Sequence, residues 1–122
     1  MHYKRIELKV TDQGIHERKI FQGVKIFSRS TLSKDQKSIL TQKIYLTPKQ
    51  NIVYYQRTDV NYDQNWQHNK DYYELAYDQL DREIVFKVCQ DFDELSPFLE
   101  NELLEKLKEK QSTGKFFEKL DI

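Results

Sequence analysis

Cysteine occurs once in this chain, as Cys89, so no disulfide can form within it. A lone thiol fits a reducing, cytoplasmic setting. Glycine occurs three times and proline twice, which disfavours long irregular loops. Three separated glycines also cannot build a phosphate-cradling loop. No stretch approaches the ~20 apolar residues of a membrane-crossing helix. Met1-His2-Tyr3-Lys4-Arg5 has no apolar leader core, so neither a signal peptide nor a membrane partner is expected. His2, His16 and His68 are far apart, and with one cysteine they offer no recognisable zinc-ligand spacing. No metal and no cofactor is expected. The Gly-x-Ser-x-Gly elbow of a hydrolase is absent, and spacing singles out no carboxylate pair, so no catalytic residue is assigned.

What remains is a chain of 122 residues, the size of a single domain spanning 1–122. Hydrophobic residues make up 38%, yet 13% aromatics argue for a packed core rather than disorder. The net charge is zero, but it is unevenly spread. Residues 1–60 hold 12 Lys/Arg against 5 Asp/Glu, and residues 61–122 hold 8 against 15. The halves therefore carry +7 and −7. Neutralisation within the fold is the simpler reading. Head-to-tail or two-fold self-association is the other, and a homodimer is expected. A neutral chain steers polyanions weakly, so nucleic acid is disfavoured as a partner.

Strand signals fill the first three-quarters. In Arg5-Ile6-Glu7-Leu8-Lys9-Val10, apolar and charged residues alternate, which turns Ile6, Leu8 and Val10 inward. Thr11-Asp12-Gln13-Gly14 is turn chemistry. The run Lys19–Phe27 is broken by Gly23, a sign of a bulge or sharp bend. Residues 30–37 read as a loop. Ile39–Leu46 and Ile52–Thr58 flank Thr47-Pro48-Lys49-Gln50-Asn51 as a hairpin. In its second arm Ile52, Tyr54, Gln56 and Thr58 share one face, and Val53, Tyr55, Arg57 and Asp59 the other. Both faces are mixed, so cover on each side is expected. Tyr72–Tyr77 and Glu83–Gln90 supply two further strands, the latter with Ile84, Phe86 and Val88 on one face.

Asp91 and Glu94 make a capping box, and Ser96-Pro97 is a second helix start. Leu95, Leu99, Leu103 and Leu107 recur at helical spacing, with Leu104 widening the stripe. Gly114 is a natural stop. Two start signals predict a short first turn and a kink near Pro97. Beyond Gly114, Phe116, Phe117, Leu120 and Ile122 are expected to clamp the tail to the core, with Glu118 and Asp121 meeting basic side chains of the first strands. The alternative is a peptide signal read by another protein. The expected fold class is thus α+β: an antiparallel meander of about six strands, packed by a C-terminal helix and a docked C-terminal tail.

Glu118-Lys119-Leu120-Asp121-Ile122 resembles the EXLDI family, small bacterial proteins named for a Glu-X-Leu-Asp-Ile motif. Phe21-Gln22-Gly23, Tyr54-Tyr55-Gln56-Arg57-Thr58 and Asp91-Phe92-Asp93-Glu94-Leu95 are similar to that family's layout. The resemblance implies motif residues Glu118, Leu120, Asp121 and Ile122, and brings no established activity. Some members carry an added segment similar to a ribbon-helix-helix module, with no counterpart in these residues. The resemblance implies a regulatory or partner-binding domain.

The candidate site is the cluster Tyr54, Tyr55, Arg57, Asp59, Trp66 and His68, joined by Tyr72 and Tyr73. Aromatic walls with an arginine and a titratable histidine can hold a small anion. The same residue types also make protein-contact patches, and tyrosine is common in any sheet. Two functions follow. One is a non-enzymatic module that binds a protein partner or itself. The other is a small-ligand-binding protein or enzyme that uses the Tyr/Arg/His cluster.

Overall fold

The computed structural model describes residues 3–61, 84–117 and 120–121. Trp66, His68, Tyr72, Tyr73, Glu118 and Ile122 lie outside the described residues, as does the strand expected at Tyr72–Tyr77. The described residues hold five strands rather than about six: β1 (Lys4–Asp12), β2 (Ile15–Leu32), β3 (Ser38–Leu46), β4 (Ile52–Val60) and β5 (Val85–Cys89). A 3-10 turn (Phe92–Leu95), helix α1 (Asn101–Thr113) and a second 3-10 turn (Lys115–Phe117) follow. The strands form an antiparallel meander in the order β1-β2-β3-β4-β5. The class is α+β, as the pattern predicts.

β2 is the organising strand. Its first half pairs with β1 as far as Gly23, and its second half pairs with β3 from Val24 onward. A register shift between Lys25 and Phe27 bends it further. The run expected to be a loop from residue 30 instead continues as strand to Leu32. Gly23 is tightly packed at this bend. A Cβ there would sit 2.9 Å from Phe21 Cε2 and 3.2 Å from the Leu46 carbonyl oxygen, so a larger residue would push the Phe21 ring or the neighbouring strand aside.

The bend curls the sheet into a half-barrel, and both faces of β3 and β4 become buried. On one face Ile44, Leu46, Ile52, Tyr54 and Cys89 meet Phe92, Leu95, Leu99, Leu104 and Leu107. On the other, Tyr45, Val53 and Tyr55 meet Leu8 and Val10 from β1. The expectation that β4 is covered on each side is met: neither Val53 nor Tyr54 exceeds 3% exposure. The Tyr55 hydroxyl ties the curl shut, donating to the Lys9 carbonyl at 2.8 Å.

The capping box forms as expected. Asp91 accepts from the Asp93 amide at 2.9 Å, and Glu94 accepts from the Gln90 amide at 2.7 Å and the Asp91 amide at 3.2 Å. These amides hold the Glu94 carboxyl below the usual carboxylate range. The box opens a single 3-10 turn, and α1 starts at Asn101 rather than at Ser96-Pro97. The reason lies in the sheet. The Phe98 carbonyl accepts from Gln42 Nε2 at 3.2 Å, a bond that a continuous helix would have made internally. Arg29 holds Glu100 by a salt bridge at the helix entrance.

The docked tail is realised at Phe116 and Phe117, and among the described residues beyond them it is not. Phe116 and Phe117 are partly buried against the helix-side core, and the Phe116 ring lies 6.5 Å from Phe92. Leu120 is 62% exposed and Asp121 is exposed. The basic side chains of the first strands meet other acids: Arg5 and Arg18 pair with Glu7, and Lys19 with Glu17.

Two thermal-melting experiments check this packing. Gly23→Ala is expected to cost about 1–3 kcal/mol through overpacking, and an unchanged melt would refute the close approach. Phe116→Ala is expected to cost about 1–3 kcal/mol of lost burial. Leu120→Ala should stay within about 0.5 kcal/mol of the parent.

Candidate functional site

The strand register defines what faces the hollow of the curl. Tyr45, Val53 and Val88 stand in one row across β3, β4 and β5, and Tyr55 and Phe86 stand in the next. Above them β1 and β2 contribute Ile6 opposite Phe21 and Leu8 opposite Lys19. Phe21 meets Tyr45 edge-on, with centroids 5.5 Å apart and planes at 80°.

At the end nearest the β3–β4 turn this face opens into a groove of about 590 Å³. Its apolar lining includes Phe21, Val53 and Phe86, with Ile20 and Val88 at the mouth. Ile20 and Val88 are 53% and 56% exposed, a high value for large apolar side chains that sit together. Arg18, Lys19 and Lys49 add three positive charges, and no carboxylate lines the groove. Lys19 lies over the Phe86 ring, its Nζ 5.8 Å from the centroid and 2.6 Å from Glu17 Oε2. Arg18 is 3.3 Å from Glu7. Among the described residues no carboxylate lies within ion-pair distance of Lys49.

Local chemistry fixes Lys49 at this rim. Thr47 starts the turn by donating its amide to the Asn51 carbonyl at 3.0 Å. Its hydroxyl accepts from the Asn51 amide at 3.1 Å. Gln50 closes the turn with φ 67 and an amide bond to the Thr47 carbonyl at 2.9 Å. The groove's volume is that of a ligand site, and its lining suits an apolar group carrying negative charge.

The cluster expected from sequence is divided. Tyr54 and Tyr55 are neighbours on β4 and so project to opposite faces. Tyr54 is fully buried on the helix side, where its ring stacks on Phe98 with centroids 5.0 Å apart. Its hydroxyl accepts from Gln42 Nε2 at 2.9 Å and donates to Gln56 Oε1 at 2.6 Å, and burial pushes its pKa up. Tyr55, Arg57 and Asp59 share the other face. Arg57 is bound to Asp59 at 2.7 Å, which strengthens its hold on its proton. A polar cleft of about 440 Å³ beside Arg57 also involves Lys9, His16 and Arg18. His16 Nδ1 lies 3.1 Å from Thr11 Oγ1.

The groove residues Phe21, Lys49 and Val53 fall outside the cluster expected from sequence. The alternation Ile84, Phe86, Val88 was a usable signal, because it left Val88 on a face that needed a cover. Nothing in the sequence said that β2 supplies that cover only in part.

Among the described residues no three His, Cys, Asp or Glu side chains gather as a metal site, and no helix is long and apolar enough to cross a membrane. Cys89 is 1% exposed on the helix side, and burial pushes its thiol pKa up. It is therefore a core side chain rather than a nucleophile. Its reaction with a disulfide reagent at pH 8 is expected to be about 100-fold slower in the native protein than after unfolding. Comparable rates would overturn that assignment. No model of a known protein family matches this chain, and no curated protein or solved structure does either.

Proposed function

We propose that the protein is a non-enzymatic binding module whose concave groove holds an apolar, acidic segment of a protein partner. One observation carries this reading: an apolar groove of about 590 Å³ with three cationic side chains and no carboxylate among its lining residues. An apolar side chain entering it would leave water for Phe21, Val53 and Phe86, and a carboxylate beside it would neutralise Lys49. Exposed Ile20 and Val88 give the incoming chain an apolar landing at the mouth. The buried, lone thiol supports a reducing, cytoplasmic setting. Kinship with the EXLDI proteins belongs to the same reading. Leu120 and Asp121 of the motif are exposed, as a segment recognised by another molecule would be.

An apolar anion, anilinonaphthalene sulfonate, serves as the probe. The native protein is expected to enhance its fluorescence saturably. Val88→Glu should abolish the enhancement and Lys49→Glu should weaken it about tenfold, both with unchanged melting because both side chains are solvent-facing. Equal dye binding by parent and both variants would refute the groove as the site.

A further inference from the structure

We infer that the groove's occupant is the Glu118–Ile122 segment of a second copy of this chain. This rests on the groove reading above and names the partner. The segment Glu118-Lys119-Leu120-Asp121-Ile122 has two large apolar side chains and a net charge of −1. Leu120 is 62% exposed and Asp121 is exposed beside it, so the segment offers both an apolar group and a carboxylate to a neighbour. The groove offers the complement: apolar walls, and Lys49 with no carboxylate in reach among the described residues.

Leu120 and Asp121 do not line the groove of their own chain. Phe116 and Phe117 are packed on the helix side of the sheet, and the groove opens on the other. Leu120 stands in solvent instead of lining its own groove. The charge distribution favours a second copy. The groove's cations Arg18, Lys19 and Lys49 belong to the half that carries +7, and the segment belongs to the half that carries −7. The groove's cations and the Asp121 carboxylate are opposite in sign, and a net charge of zero keeps long-range repulsion between copies small. If each copy lends its segment to the other, a two-fold axis closes the assembly as a dimer.

The test is light scattering on the full chain from micromolar to millimolar concentration, together with the dye assay. The parent is expected to move from the mass of one chain to that of two as concentration rises. Leu120→Glu and Asp121→Lys should each raise the midpoint about tenfold or more. Both positions are exposed, so folding is preserved. Lys49→Glu alone should weaken pairing, and Lys49→Glu with Asp121→Lys should restore it. A chain that stays monomeric throughout would overturn the inference, as would a Leu120→Glu variant that pairs like the parent or a charge reversal without rescue. If the dye still depends on Val88 and Lys49 in that case, the groove reading stands and only the partner is wrong. If the dye ignores both substitutions, the groove reading itself falls.

Discussion

Around Gly23 the Phe21 ring and the Leu46 carbonyl come so close that a Cβ would sit 2.9 Å and 3.2 Å from them and force one to shift. That approach lets one 18-residue strand serve two partners, β1 before the bend and β3 after it. A flat five-strand meander would bury one face under the helix and leave the other wet. The bend folds β1 back over the second face. Tyr45 and Leu46, adjacent on β3, are therefore both buried, at 5% and 4% exposure. The curl also stops short of closure, and the groove is the part of the hollow that β1 and β2 leave uncovered.

The helix side is held by a different kind of contact. Gln42 is 2% exposed, and every hydrogen-bonding position of its amide is used. Its Nε2 donates to the Tyr54 hydroxyl and the Phe98 carbonyl, and its Oε1 accepts from Arg29 Nε at 3.1 Å and a terminal Arg29 nitrogen at 2.9 Å. A buried amide with any of these unmade would destabilise the fold by about 1–3 kcal/mol. The network thus fixes where the segment between the first turn and α1 touches the sheet. Arg29 extends it to Glu100 and holds that carboxyl below the usual range. A depressed carboxylate contributes stability above its unfolded value, about 4.3, and loses it as pH falls through the lower folded value. Both Glu100 and Glu94 are exposed, so solvent screening keeps their share small.

Period-two patterning was enough to place Ile6, Leu8 and Val10 inward and to show that β4 had two half-apolar faces. Gly23 announced its bend, and Asp91 with Glu94 announced a capping box, because those signals are local. Other features were not legible or were misread. The capping box opened the short first turn that its signal announced, but the start at Ser96-Pro97 went unused, since the Gln42 side chain, far away in sequence, holds the Phe98 carbonyl and the helix begins at Asn101. The opposite facing of Tyr54 and Tyr55 was legible from strand alternation, and grouping them in one cluster by composition set that alternation aside. The groove joins β2, the β3–β4 turn and β5. Its residues become neighbours only through a curl whose extent no local pattern encodes. Leu120 looked like a core residue because hydrophobicity predicts that a side chain seeks cover without saying whose.

The balance between satisfied and unsatisfied groups argues for binding. Buried polar atoms such as those of Gln42 and Tyr54 are engaged with protein partners, and the Cys89 thiol is enclosed in the core, so these groups act as structure. Departures from that economy are on the surface. Among the described residues the exposed large apolar side chains are Ile15, Ile20, Leu32, Val88 and Leu120. Ile20 and Val88 flank one groove, and Leu120 sits beside an exposed carboxylate. Scattered singly, such residues need no explanation, but a pair at the mouth of a cationic apolar hollow does. Burying them takes a second surface, and the exposed Leu120 beside the Asp121 carboxylate has the chemistry such a surface needs.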